Sequence, residues 1–525
     1  MLVLRWLARV REDGHTRVSL TRLPPGNGSI PDLLALAGIA HLDLIGRSLD
    51  LAFRWEGCGG GRVAVNGADD AAPVHHGHLN RTVLPAGDAL PLLALLDLAR
   101  LEDASGMHDP QAAGAAWEYI LAAVGMVAPP RVPPLAGRGT ASPAVARLGA
   151  WNPLPFSRHA AVALPMSTGI APWAVQDDRG SKHPVQVVEG PLGRELLVVL
   201  PFGPLEGLRL DPLDDPVPGC HWEVSCSVLD NGRLRVDIDS LGQVVRLCSD
   251  GNFLDLAGPA FQPLCDGLPL AGSALLTVLE DGPVRARIDV ARSTPQGTLH
   301  VTYTLHAHDN VLRVAASWQG EGDLVLDIPT GFRGERLRLA GEAASWEVAQ
   351  AASVVEQIGE PQPGVAWATL GEAAEGRGLM IAGARPLTIS AQAGHVGILI
   401  RAGTLFCLGS TQRDDDDLPA AGVARSLAVP ARSYGAERHL TPALRLDGRL
   451  VPWWVRRPDG WTGEVLLADS LGVRGRTTLY LPAGSHQAWR VDAGGAPLAQ
   501  LSATPEGDGF EIDHAAHEIL LVRWR

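Results

Sequence analysis

The sequence predicts a mainly β protein: two or three antiparallel sandwich modules with a smaller, α-rich N-terminal region. Three observations carry that expectation. The first is a period of two. Val284, Ala286, Ile288 and Val290 alternate with Arg285, Arg287 and Asp289, and Leu299, Val301, Tyr303 and Leu305 alternate with His300, Thr302, Thr304 and His306. Successive strand residues face opposite sides of a sheet, so each run has one apolar and one polar face. The second is turn chemistry between the runs. In Val224–Leu247, Asp230-Asn231-Gly232 and Leu241-Gly242 supply positive-φ positions between three short strands. Leu234, Val236 and Ile238 fall on one face there, and Arg233, Arg235, Asp237 and Asp239 on the other. The third is composition: 46% apolar residues can fill large cores, and 60 Gly and 40 Pro suit many turns.

The elements follow in order. Met1–Leu23 reads as a hairpin turned at Glu12-Asp13-Gly14, and Pro31–Phe53 as an apolar segment with helical or strand-like parts. Asp88–Glu102 has leucines at helical spacing, with Pro91 confined to the first turn. Gln111–Val124 is the clearest helix, with Ala112, Ala115, Ala116, Tyr119, Ile120 and Ala123 on one side. Residues 1–130 form this front end, and 131–149, entered through the PPRVPP run of Pro129–Pro134, form a linker. A small β module is expected over 150–215, a large sandwich over 216–460 and a small C-terminal sandwich over 461–525. Leu324, Leu326 and Ile328 mark a further strand, and Asp414–Asp417 a solvated loop.

Charge and cysteines exclude several classes. A net charge of −14 argues against non-specific nucleic-acid binding. The six cysteines include no C-x-x-C pair and read as mostly buried free thiols. The first residues lack the pattern of a secretory signal. The most apolar tract, Leu33–Ile45, is broken by His41 and Asp43 and is too short to span a bilayer. The expected location is the cytoplasm, with no membrane partner.

Six segments in sequence carry a resemblance. They are WNPLPFSRHAAVALP (Trp151–Pro165), DDRGSKHPVQVV (Asp177–Val188), LEDGPVRARIDV (Leu279–Val290), WATLGEAAEGRGLMIAG (Trp367–Gly383), GHVGILIRAG (Gly394–Gly403) and HEILLVRWR (His517–Arg525). Together with Val224–Leu247 they resemble, in the right order, the middle and C-terminal β-region of glycoside hydrolase family 38, the α-mannosidases. The resemblance implies a galactose-mutarotase-like large sandwich. In that family an N-terminal α/β barrel carries the active site. An H-x-D pair, a nucleophilic Asp and a His of an H-D dipeptide hold zinc there. Retaining hydrolysis needs that nucleophile and an acid/base carboxyl about 5 Å away.

Onto this pattern fall His41-Leu42-Asp43 and His108-Asp109, with Gly46 and Pro110 departing from it. The resemblance therefore implies His41, Asp43 and His108 as metal residues, with zinc as cofactor if the site is intact. No residue identifies the nucleophile: Asp50, Asp69, Asp70, Asp88 and Asp97 all lie between the two pairs. The interval between the pairs is far too short for the barrel, so the front end is either a barrel remnant or an unrelated cap. The position of His108-Asp109 before the β-region favours the remnant. The structural alternatives are a His and an Asp at a buried strand end, and Asp109 as a helix N-cap.

Other motifs are weaker. His75-His76-Gly77-His78 reads as an exposed turn rather than a metal site. His306-Ala307-His308-Asp309 reads as a structural turn, with His306 continuing its strand's polar face. Trp (14) outnumbers Phe (8) and Tyr (4). Indole faces stack on sugar rings, so Trp453, Trp454 and Trp461 are the candidate carbohydrate-binding residues, the alternative being packing between sandwiches. The expected function is an α-mannosidase-like, carbohydrate-binding or accessory β-scaffold without its own complete active site. Its partner would be a mannose-type glycan or a separate hydrolase chain. The alternatives are an active zinc-dependent retaining α-mannosidase and a structural partner subunit.

Overall fold

The computed structural model describes residues 148–525 apart from short internal segments, the longest 349–361, and, before them, residues 17–20, 34–36, 39–45, 53–56 and 62–68. The front end's described strands make one four-stranded sheet, ordered Arg17–Leu20, His41–Ile45, Arg62–Ala68, Phe53–Glu56. The first two pairings are parallel and the last antiparallel. The segments expected as helices, 88–102 and 111–124, lie outside the described residues.

A seven-stranded sheet follows. Its order is Arg432–Gly435, Leu148–Trp151, Gly207–Leu213, Ala174–Asp177, Lys182–Gly190, Gly193–Phe202, Arg158–Pro165. Its edge strand comes from far along the chain, with Tyr434 opposite Gly149. Leu164, Val198, Leu200 and Leu208 are fully buried between its curled halves.

The large sandwich sets a five-stranded sheet, built from Glu223–Ser225 through Asn252–Phe253, against a thirteen-stranded one. The period of two places the expected residues inside. Leu234, Val236, Ala286, Ile288, Tyr303, Leu305, Leu324, Leu326 and Ile328 are all at 0% exposure and share one core. Each fully buried large side chain contributes about 1.5–3 kcal/mol, so this core dominates the module's stability. Gly242 joins the two sheets. Its φ is +76°, a Cβ there would lie 2.2 Å from Val290 Cγ1, and its carbonyl accepts the Tyr303 hydroxyl at 2.7 Å. Only glycine permits both the turn and the close approach.

One helix, Leu418–Ala428, lies against this sandwich. Its small Ala420 and Ala424 let it approach Trp367, Met380 and Cys407 closely. The C-terminal sandwich packs a four-stranded sheet on a five-stranded one. The second runs Val451–Arg456, Gly463–Ala468, Ile519–Trp524, Ala488–Val491, Pro497–Gln500. Val465, Leu479, Ile512, Val522 and Trp524 fill the space between them. Among the described residues no helix is long and apolar enough to cross a membrane.

Candidate functional site

Two of the three expected metal residues share a strand. His41 and Asp43 sit on His41–Ile45, in the middle of the small front sheet, flanked by parallel neighbours on both sides. Asp43 stands opposite Ser19 and Asn66 in register. His108, the 75–78 histidine cluster and the five candidate nucleophilic aspartates lie outside the described residues. Imidazole and carboxylate are ligands zinc accepts. Among the described residues no group of three or more such side chains comes together to hold a metal ion.

Trp453 and Trp454 lie on the edge strand Val451–Arg456, and Trp461 lies outside the described residues. Pro452 pairs with Leu467 and Trp454 with Leu466, so Trp453 is an extra residue in a β-bulge. A bulge interrupts strict alternation, and the rule that adjacent residues face opposite ways does not hold across it.

The turn at His306–Asp309 is a buried electrostatic node, not a solvated one. Arg313 Nε donates to Asp309 Oδ2 at 2.9 Å, and His306 Nδ1 lies 3.1 Å from the same oxygen. Burial would raise the Asp309 pKa, but Arg313 and the His306 contact outweigh it and hold the carboxyl well below the usual range. Burial, then Arg313, pushes His306 down, favouring the neutral ring. Burial pushes the neighbouring Cys407 thiol up to about 12, so it is unreactive. Asn231 pins the node from the facing sheet, donating to the carbonyls of His306 (2.8 Å) and Asp309 (2.9 Å). Its own amide oxygen accepts from the Arg233 and Leu234 amides.

His306 was expected on a polar strand face. It is 9% exposed because the seven-stranded module covers that strand end. Ala307 and Val284 pack with Val188, Leu197 and Val199 of that module, and Gln186 Oε1 accepts from the Val284 and Arg285 amides. At the rim of this seam the His159 and His308 rings stand 5.3 Å apart, with His308 at φ 67°. The His306 and Asp309 side chains are only 11% and 10% exposed, so the pair offers no access to a substrate.

An open recess with a polar lining lies on the C-terminal sandwich, a cleft of about 560 Å³. Register creates it. Arg456 pairs with Glu464, Glu464 with Arg523, Arg523 with Trp489 and Trp489 with Gln500, so five strands each place one residue in a lateral row. Residues opposite one another across a sheet share a face. Glu464, 7% exposed, accepts from Arg523 Nε at 2.8 Å and also from Nη2, and Arg523 Nη1 donates to the Gly495 carbonyl at 2.8 Å. Arg525 sets its guanidinium over the Trp489 ring, 5.0 Å from the centroid, and donates to Gln487 Oε1. Gly495, at φ +86°, makes room: a Cβ there would lie 2.0 Å from Arg523 Nη2. None of these residues stands out in the sequence, because the row exists only once five strands are in register.

No family model matches the sequence, and no curated protein matches it. Solved structures do. The chain is similar to an alpha-mannosidase from Enterococcus faecalis V583, with 11% identity and a TM-score of 0.67 over 99% of this chain and 88% of that one. It is similar to a protein in glycosyl hydrolase family 38, also from Enterococcus faecalis, at 11% identity and a TM-score of 0.66 over the same shares. At that identity the likeness is one of architecture, and it spans nearly the whole chain: the chain has the fold of glycosyl hydrolase family 38 structures, as the ordered β motifs imply.

Proposed function

We propose that the chain is a family 38 α-mannosidase-like protein that works as a carbohydrate-binding or accessory β-scaffold, without a complete active site of its own. It binds mannose-type glycans, or seats a separate hydrolase chain, in the cytoplasm. The observation that carries the reading is the front sheet. The strand bearing His41 and Asp43 has the parallel neighbours of an α/β fold, yet among the described strands the sheet's last pair, Arg62–Ala68 and Phe53–Glu56, is antiparallel. A closed α/β barrel is a ring of parallel strands, and an antiparallel end strand departs from it. A retaining glycosidase needs two opposed carboxyls held in a preorganised pocket. The fold likeness supports a glycan as ligand, and Trp453 and Trp454 at the bulge are the stacking residues of this reading.

The second reading, an active zinc-dependent α-mannosidase, draws on His41 and Asp43 sharing one strand. Turnover of an aryl α-mannoside by the full chain with zinc added separates the two. The scaffold reading expects none above background. Zinc-dependent turnover abolished by His41→Ala and by His108→Ala would establish the enzyme instead.

A further inference from the structure

The cleft on the C-terminal sandwich has a charge and donor pattern that a neutral mannoside does not call for. We infer that it binds an anionic saccharide, a pyranose ring bearing a carboxylate or a phosphate. The inference stands on the cleft's own geometry and not on the mannoside-binding reading.

Two guanidiniums, those of Arg523 and Arg525, and one side-chain carboxylate, that of Glu464, are the charged side chains that line the cleft. Glu464 and the Gly495 carbonyl engage three N–H groups of Arg523. Gln487 engages two of Arg525. A guanidinium carries five N–H groups, so both arginines keep donors for a ligand. The nearby Arg490 is committed elsewhere, to Glu518 and the Asp513 carbonyl.

A surplus of N–H donors selects a group that only accepts, and planar guanidiniums match carboxylate and phosphate oxygens in paired fashion. The buried Glu464 and the glycine at 495 fix the plane of Arg523 before any ligand arrives, which lowers the ordering cost of binding. Trp489, half-buried beside Arg525, adds the aromatic surface on which the C–H face of a pyranose packs. The volume falls within the range of small-molecule sites, about 300–1,000 Å³.

The test is calorimetric titration of the full chain with methyl glucuronide, mannose 6-phosphate, inorganic phosphate and methyl α-mannoside. We expect saturable binding of at least one anionic sugar. Arg525→Gln and Trp489→Ala should each weaken it by about tenfold or more. Arg525 is exposed, so its replacement leaves the fold intact, which thermal melting checks. The carboxylate and phosphate sugars distinguish the two sources of the anion. The inference is overturned if neither anionic sugar binds, if both variants bind it as the parent does, or if inorganic phosphate binds as tightly as mannose 6-phosphate. A mannoside signal lost on Trp454→Ala but retained in Trp489→Ala belongs to the bulge and leaves the cleft assignment untouched.

Discussion

Asp309→Asn tests the buried node of the large sandwich at the strand end that the seven-stranded module covers. The substitution keeps volume and shape and removes the charge. In the parent chain Asp309 Oδ2 takes the Arg313 Nε–H at 2.9 Å and stands 3.1 Å from His306 Nδ1, and the Arg313 and Asp309 side chains are 22% and 10% exposed. Removing one member of a buried pair costs about 3–5 kcal/mol, because the other charge is left uncompensated. Arg313 retains some solvent contact, so the lower end applies, about 3 kcal/mol. A module of this size loses about 2–4 °C per kcal/mol, which puts the melting temperature down by about 6–12 °C. The assay is urea unfolding followed by tryptophan fluorescence, with the double variant Asp309→Asn/Arg313→Met alongside. The double variant should recover part of the loss, since it removes the orphaned guanidinium. A loss under about 1 kcal/mol would place the pair in the range of surface ion pairs and refute the argument.

Two further predictions concern the same sandwich. Tyr303→Phe removes the hydroxyl that the Gly242 carbonyl accepts inside the core, and should lower stability by about 1–2 kcal/mol in the same urea assay; no change would mean the turn is held by packing alone. Acid should destabilise this node in two stages of the same sign. The His306 pKa is lowered, so the unfolded chain takes up a proton below about pH 6.5 that the folded chain refuses, and stability falls from there. Asp309 is held low, so its contribution is present above about pH 4 and lost as pH falls further towards its folded value. Denaturant midpoints from pH 8 to 3.5 follow this, and His306→Gln should flatten the limb that begins below about pH 6.5; an unaltered limb would assign it to other groups.

The sandwich cores were legible because period-two alternation needs no partner to be read, as Leu234, Val236 and Ile238 illustrate. Gly242 was legible as a turn, but its contact with Val290 was not, since that depends on the facing sheet. His306 shows the same limit more sharply: its own strand assigns it to a polar face, and a module more than a hundred residues earlier in the sequence buries it. Leu418–Ala428 was missed because its alanines, following four aspartates, give a short and weak helical period. At the candidate sites, His41 and Asp43 fall on a strand in a segment whose sequence leaves helix and strand open, and the Trp453 bulge is invisible without the register. Trp489, Glu464 and Arg523 come from three separate strands, so local spacing carries no sign of the row they form.

The central claim is that this family 38 fold serves as a glycan-binding scaffold and not as a hydrolase. Titrating an α-linked mannose oligosaccharide into the zinc-supplemented full chain, and then analysing the recovered sugar, tests it most directly. The account predicts saturable binding, lost in Trp454→Ala, and an oligosaccharide recovered at its original length. Release of free mannose, abolished by His41→Ala, would contradict it.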